Sequence, residues 1–259
     1  MRNYKGYLID LDGTMYRGKE KIPAAKRFIE RLQERNIPFL FVTNNSTQEP
    51  QAVVNNLAHN FNIHVTTDNV YTTALATADY LASQDKKKRS VYTIGEFGLK
   101  KALFDKGFYF VEHNPDYVVV GLDYDVTYHK FELATLAIKA GAKFIGTNAD
   151  TNLPNERGLV PGAGSIIALV ECATQQKATY IGKPESIIMK KALNRLEMEK
   201  GDVIMVGDNY MTDISAGINC GIDTLLVYTG VSTPEQVKEK KIKPTYTVNS
   251  LDEWTLGND

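Results

Sequence analysis

Two aspartates stand directly after the first apolar segment, in the stretch YLIDLDGTMY. Asp10 and Asp12 follow three apolar residues that are typical of a buried strand, and one residue separates them. Carboxylates this close repel each other, and ionised carboxylates are rarely buried unless an opposite charge compensates for them. The spacing therefore indicates that something positive, most simply a cation, lies beside Asp10 and Asp12.

Polar residues follow predicted strands at four points of the chain. After Asp10, these points are Thr43 with Asn44, then Lys183, then Asp208. In an open parallel sheet, ligands bind at the carboxyl ends of the strands, so the four sets are expected to converge. Carboxylates, small hydroxyl and amide groups and one lysine suit a phosphate together with a divalent cation. Mg²⁺ is the predicted ion because it prefers oxygen ligands.

These residue types also suggest a mechanism. Hydrolysis of a phosphate monoester is very slow without a catalyst, and a carboxylate nucleophile can divide it into two easier displacements. Asp10 is the predicted nucleophile, and Asp12 is the predicted general acid and base. Thr43, the backbone amide of Asn44 and Lys183 would hold the phosphoryl oxygens.

Two further pairs complete the predicted site. Asp208 would bind the cation, and Asp213, at the start of the next predicted helix, would orient a metal-bound water. Asn148 and Asp150 lie in a long polar connection, residues 147–164, where they would hydrogen-bond substrate hydroxyls. The alternative for this connection is that it only joins two elements.

Two other phosphate- or cation-binding motifs do not fit these residues. A calcium loop starting at Asp10 fails, because Thr14, Met15 and Lys21 stand where an oxygen ligand, a glycine and a glutamate are required. A P-loop ending at Lys183 fails because residue 177 is a lysine rather than glycine. For any one of the four sets alone, a helix cap or a turn remains an equal alternative.

Composition excludes several classes of function. The chain has 30 Lys plus Arg against 31 Asp plus Glu, so its charge favours neither nucleic acid nor an anionic membrane as a partner. Cys172 and Cys220 are too few for a disulfide framework. The beginning of the sequence has no apolar leader pattern, and no apolar run approaches the roughly 18 residues of a membrane span. A cytoplasmic location is expected.

Strands alternate with amphipathic helices along the chain, which predicts an α/β fold with a parallel sheet. Two polar stretches, SQDKKKRS and TQQKAT, bracket a second α/β series in the middle of the chain. This arrangement predicts a discontinuous core domain with another domain inserted in it.

The four sets in this order resemble the motifs of the haloacid dehalogenase superfamily of phosphohydrolases. VTNNS, GLVPGAGS and the GDN-x-x-TDI-x-AG pattern are similar to the NagD-like, p-nitrophenyl phosphatase subgroup. The resemblance implies a Rossmann-like core of residues 1–81 and 179–259 with an α/β cap, residues 82–178, inserted in it. It also implies a homodimer through the cap.

The same resemblance implies Mg²⁺ bound by Asp10, the Asp12 carbonyl and Asp208. We expect a magnesium-dependent phosphatase whose partner is a small phosphorylated metabolite, such as a nucleotide, a sugar phosphate or p-nitrophenyl phosphate. An aspartyl-phosphate intermediate is expected on Asp10. A phosphotransferase or mutase using the same intermediate, and a non-catalytic phosphometabolite-binding protein, are the alternatives.

Overall fold

The computed structural model describes residues 2–257, and the chain there forms two compact units. The first unit contains the residues up to Thr43, then Pro50–Tyr71, and then the residues from Lys183 onward. The second unit contains Asn44–Glu49 and Thr72–Gly182. The second unit thus includes 44–49, 72–81 and 179–182 in addition to the predicted insertion, whose boundaries as a domain stay a prediction.

The strands are short, and most lie within one of two sheets. In chain order they are β1 (Gly6–Ile9), β2 (Tyr16–Arg17), β3 (Glu20–Lys21), β4 (Phe39–Thr43), β5 (Val70–Thr72), β6 (Ser90–Ile94), β7 (Tyr109–Phe110), β8 (Tyr117–Val120), β9 (Lys143–Gly146), β10 (Asn152–Asn155), β11 (Gly158–Pro161), β12 (Thr179–Tyr180), β13 (Val203–Gly207), β14 (Asp223–Val227) and β15 (Tyr246–Val248).

The helices alternate with these strands over most of the chain. In chain order they are α1 (Pro23–Glu34), α2 (Pro50–Phe61), α3 (Thr73–Ala82), α4 (Phe97–Asp105), α5 (Tyr128–Lys139), α6 (Ala163–Thr174), α7 (Ser186–Leu196), α8 (Ser215–Cys220) and α9 (Pro234–Lys238). No helix within residues 2–257 has both the length and the apolar character needed to cross a membrane.

The first unit is built on a six-stranded sheet in the order β15-β14-β13-β1-β4-β5. The pairings of β1 with both of its neighbours are parallel, as are those of β13 with β14 and β14 with β15. All four residues of β1 are buried, as expected for a central strand covered on both faces. The predicted α/β fold with a Rossmann-like sheet is therefore confirmed.

Helix α1 shows why the local sequence folds as it does. Pro23 occupies its first turn, where the missing N–H costs no hydrogen bond. Phe28, Ile29 and Leu32 recur at helical spacing and are buried. The chain leaves the helix at Asn36, whose φ of 53° lies in the left-handed region that asparagine tolerates.

The second unit has its own five-stranded parallel sheet, in the order β12-β9-β8-β6-β7. Val118 and Val120 of this sheet pack with Ala134 and Ile138 of α5 and Ile167 of α6 in one buried cluster. This unit therefore has a hydrophobic core of its own.

The polar segment 147–164 is more ordered than a plain connection. Its strands β10 and β11 form an antiparallel hairpin, in which Asn155 pairs with Gly158. The side chain of Asn155 accepts a hydrogen bond from the Arg157 backbone N–H at 2.8 Å, and this bond closes the turn. Its two strands have four residues each and most of these residues are exposed, so they lack the burial pattern that predicts strands from sequence, and this hairpin was not expected.

Candidate active site

The central strands of the first unit bring the predicted residues to one edge of the sheet. Ile9 of β1 pairs with Val206 of β13 and with Phe41 of β4, so the carboxyl ends of these three parallel strands lie side by side. Asp10 and Asp208 each follow the last residue of a strand, while Thr43 is the last residue of β4. The carboxyl ends of adjacent parallel strands thus carry these three side chains, as predicted.

Lys183 joins two of the carboxylates. Its Nζ donates to Oδ1 of Asp10 at 2.5 Å and to Oδ1 of Asp213 at 2.7 Å. The three side chains are buried, and Lys183 itself is only 2% exposed. Charge-assisted hydrogen bonds of this kind hold the ammonium group in one place.

Thr14 links Asp10 to Asp208. Its Oγ1 lies 3.5 Å from Oδ2 of Asp10 and 3.2 Å from Oδ1 of Asp208, and the residue is completely buried. One hydroxyl proton can serve only one of these oxygens at a time, so the two carboxylates share this donor.

Asp208 is further held by the backbone around it. The Val231 N–H donates to its Oδ2 at 2.7 Å. Gly13 has a φ of 90°, and a Cβ at this position would lie 2.3 Å from Oδ2 of Asp208. Only glycine therefore allows the loop after β1 to approach the Asp208 carboxylate this closely.

Asp213 lies in a single wide helical turn, Tyr210–Ile214, between β13 and α8. Its Oδ2 accepts the Asn209 N–H at 3.1 Å while its Oδ1 binds Lys183. The observed partners of Asp213 are therefore the lysine and the Asn209 amide, and its contact with a metal-bound water stays a prediction.

The acidic centre carries an excess of negative charge. Burial, and then the charge of Asp213, raise the pKa of Asp10 well above its usual value, although Lys183 acts in the opposite direction. Burial, and then Asp213, also raise the pKa of Asp208, to about 6. Burial alone would lower the pKa of Lys183, but Asp10 and Asp213 together raise it above its usual value. The lysine is therefore charged, and one ammonium does not balance the carboxylates described here.

The residues fit a divalent cation. Asp10, Asp208 and Asp213 each offer a carboxylate oxygen, and these oxygens lie within 4.8 Å of one another. All three residues are buried, and oxygen donors are what hard divalent cations prefer. A cation here would lower the cost of keeping Asp10 and Asp208 ionised.

Asp12 differs from Asp10 in its surroundings. Asp12 is exposed, whereas Asp10 is buried. Its Oδ1 accepts the Gly18 N–H at 3.4 Å, a long bond that leaves the carboxylate open to other partners. An exposed carboxylate beside a buried one suits a group that exchanges protons with solvent.

Asn44, Asn148 and Asp150 belong to the second unit, where the structure brings them together. Nδ2 of Asn148 donates to the Asn44 carbonyl at 2.8 Å, and Nδ2 of Asn44 donates to Oδ2 of Asp150 at 3.0 Å. The predicted contact of Asn148 and Asp150 with substrate hydroxyls stays a prediction.

Two contributors were missed by the sequence analysis. Thr14 belongs to the stretch DLDGT, and its only sequence signal is a hydroxyl residue four positions after Asp10. The Val231 amide left no signal, because a backbone N–H is present at almost every residue.

Comparisons with known proteins show the family of this chain. Residues 7–109 match the family described as haloacid dehalogenase-like hydrolase, and residues 180–254 match the related HAD-hydrolase-like family. The 5'-nucleotidase YutF of Bacillus subtilis is 50% identical over 254 residues, which are 98% of each chain.

Solved structures give the same result. A mutant of the thermostable p-nitrophenylphosphatase of Bacillus stearothermophilus is 54% identical, with a TM-score of 0.91 over 99% of this chain and 100% of that one. NagD of E. coli K-12 is 31% identical, with a TM-score of 0.93 over 98% of this chain and 100% of that one. The chain therefore belongs to the haloacid dehalogenase-like hydrolases, among the phosphatases that include NagD and the p-nitrophenyl phosphatases.

Proposed function

We propose that this protein is a magnesium-dependent phosphatase that hydrolyses small phosphomonoesters through an aspartyl-phosphate on Asp10. The observation that carries this proposal is the buried bridge of Lys183 between Asp10 and Asp213, beside the carboxylate of Asp208. A packed core would not gain from so many charges, since buried ion pairs often cost more than they contribute. Their arrangement suits chemistry on a charged group.

The roles of the chain's own residues follow from their positions. Asp10 attacks phosphorus, and Lys183 places positive charge beside the oxygens that become more negative in the transition state. Asp12, which is exposed, gives a proton to the leaving oxygen and later takes one from the attacking water. Thr43 and the backbone amide of Asn44 hold the phosphoryl oxygens.

Asp10, the Asp12 carbonyl and Asp208 would hold Mg²⁺, and Asp213 would orient one of its waters. The ion, when bound, polarises a phosphoryl oxygen and offsets the repulsion between the carboxylates. Magnesium is proposed rather than calcium because it retains waters and touches substrate phosphate in sites with few carboxylates.

The substrate class is proposed from the relatives and from the catalytic equipment. The names of the matched relatives describe a 5'-nucleotidase and p-nitrophenyl phosphatases. For this chain we propose nucleoside monophosphates, sugar phosphates and, as an artificial substrate, p-nitrophenyl phosphate. The partner is thus a small phosphorylated metabolite.

Phosphate release from a broad phosphomonoester panel, with and without Mg²⁺, tests the proposal. Mg²⁺-dependent release that vanadate inhibits is expected. Transfer of the phosphoryl group to an added alcohol or sugar without free phosphate would instead indicate a phosphotransferase or mutase. Binding of phosphorylated metabolites without turnover of any of them would indicate the non-catalytic alternative.

The family resemblance also implies a homodimer through the cap and a cytoplasmic location, and both stay predictions. The second unit has exposed aromatic side chains, including Phe97 at 62% and Phe104 at 66% exposure, which a dimer contact would cover. Sedimentation of the wild-type protein and of Phe104→Ser would test whether these side chains mediate self-association.

A further inference from the structure

Asn44, Asn148 and Asp150 form a closed set of hydrogen bonds in the second unit, which we call the Asn44 cluster. Asn148 donates to the Asn44 carbonyl, and Asn44 donates to the Asp150 carboxylate. The Asp150 backbone N–H then donates to Oδ1 of Asn148 at 3.1 Å. Each residue therefore restrains the other two.

Asn148 is the buried member of this cluster, with 5% of its surface exposed. Burying a side-chain amide costs free energy unless its polar groups form hydrogen bonds. The bond to the Asn44 carbonyl therefore favours one orientation of the Asn148 side chain. The side chain of Asn148 is thereby committed to the backbone of Asn44.

The cluster adjoins both chain segments that lead to the proposed phosphoryl-binding residues. Asn44 directly follows Thr43, and Gly182 directly precedes Lys183. A Cβ at Gly182 would lie 2.6 Å from Oδ1 of Asn44, and the Gly182 N–H donates to the Thr147 carbonyl at 2.8 Å. The cluster thus restrains Asn44 next to Thr43, and it packs closely against Gly182, which precedes Lys183 and is held by the neighbouring Thr147 carbonyl.

The cluster is also supported by the start of α6. The Gly164 N–H donates to the Asp150 carbonyl at 2.9 Å, and a Cβ at Gly164 would lie 2.5 Å from the Ala149 carbonyl oxygen. Residues 148–150 are therefore packed closely against a helix of their own unit. Packing against a rigid helix is typical of residues that orient the functional groups beside them.

We propose that Asn148 and Asp150 are positioning residues, which orient the backbone amide of Asn44 for the phosphoryl group, in place of the direct contact with substrate hydroxyls that the sequence predicts. This inference rests on the proposed function, in which that amide holds a phosphoryl oxygen. Since every substrate presents the same phosphoryl group, weakening the cluster affects all substrates equally. Small errors in orientation are known to cost large factors in rate.

Variants that separate shape from hydrogen bonding test the proposal. Asn148→Asp keeps the size of the side chain but places an oxygen against the Asn44 carbonyl, and Asp150→Ala removes the acceptor for Asn44. We expect each to lower kcat/KM about tenfold for p-nitrophenyl phosphate, a nucleoside monophosphate and a sugar phosphate alike. The inhibition constant of inorganic phosphate should rise by a similar factor.

Asp150→Asn, unlike Asp150→Ala, retains an acceptor oxygen for Asn44, and its kcat/KM is expected to stay within about twofold of the wild-type value. Asn69→Ala is the matched control, because Nδ2 of Asn69 also donates to a backbone carbonyl, that of Phe39, at 3.2 Å. This control should change the melting temperature without changing the inhibition constant of phosphate. If Asn148→Asp does not fold, the two Asp150 variants carry the test.

A double-mutant cycle gives the sharpest result. Asn44→Ala removes the bond to Asp150 but keeps the backbone amide, so the double variant with Asp150→Ala should be no worse than the worse single variant. Multiplied losses in the double variant would overturn the proposal. A changed ranking of substrates with an unchanged inhibition constant of phosphate would also overturn it, in favour of direct substrate contact.

Failure of the proposed function would show itself differently. In that case the wild-type protein with Mg²⁺ would neither release phosphate from the panel nor bind inorganic phosphate. Failure of the positioning proposal appears only in the variants, with the wild type fully active.

Discussion

The ammonium group of Lys183 lies 2.5 Å from Oδ1 of Asp10 and 2.7 Å from Oδ1 of Asp213, and these three side chains are buried. Removing one member of a buried ionic group is much more harmful than removing the whole group, because the remaining charges lose their compensation. This relationship makes the proposed catalytic centre and the stability of the first unit depend on the same residues.

Lys183→Met should abolish turnover and, in chelator, lower the free energy of unfolding by about 3–5 kcal/mol. Denaturant unfolding measures the second effect. Lys190→Met, at an exposed position of α7, is the control and should change the free energy of unfolding by less than about 0.5 kcal/mol. Equal stability of the two variants would contradict the ionic role of Lys183.

Asp10→Asn should retain the fold and lose turnover, because the amide keeps the size of the side chain but does not attack phosphorus. In the Asp10→Asn background, Lys183→Met should cost less stability than in the wild type, since one carboxylate has already been neutralised. Steady-state phosphate release by Asp10→Asn near the wild-type rate would rule out the covalent mechanism.

Asp12→Asn should slow both chemical steps while leaving the backbone carbonyl at residue 12 in place. The loss should be greatest for substrates whose leaving group has a high pKa, because such groups depend most on a proton donor. A series of aryl and alkyl phosphates measures this dependence. If the loss is the same across the series, Asp12 is not the general acid.

Removal of divalent cations should abolish phosphate release, and Mg²⁺ or Mn²⁺ should restore it. Ca²⁺ should fail to do so, because its larger size and higher coordination number would misplace the nucleophile relative to phosphorus. Titration of chelated protein with each ion checks this expectation. Full activity in excess chelator would contradict the role proposed for Asp208.

The raised pKa of Asp208 predicts how stability depends on pH when cations are removed. Its pKa of about 6 in the folded protein exceeds the ordinary value of 3.8, so the folded state binds the proton more tightly than the unfolded state. Its contribution to stability is therefore complete at low pH and is lost as the pH rises from about 4 to about 6.

Asp208→Asn removes this titration and isolates the effect. In chelator, the free energy of unfolding of the wild type minus that of Asp208→Asn should fall by up to about 3 kcal/mol between pH 4 and pH 7. Urea unfolding at several pH values measures it. Excess Mg²⁺ should offset the fall at neutral pH, and a difference that rises with pH would refute the assignment.

Much of the fold could be predicted because its signals are local. The buried run of β1, the proline at the start of α1 and the apolar spacing of Phe28, Ile29 and Leu32 each act within a few residues. The weakest predictions concerned short, exposed strands such as β10 and β11, whose pairing depends on turn geometry and gains little from burial.

For the candidate site, the sequence by itself determined which strand ends carry Asp10, Thr43 and Asp208, because parallel strands end at a common edge. Only the tertiary structure decided that Lys183 bridges Asp10 and Asp213. Lys183 is 173 positions from Asp10 and 30 positions from Asp213 in the sequence, so these side chains meet only when the chain is folded. It likewise decided that Asn148 bonds to the backbone of Asn44. The chemical character of a residue can be read from its type, but its contacts depend on how the whole chain packs.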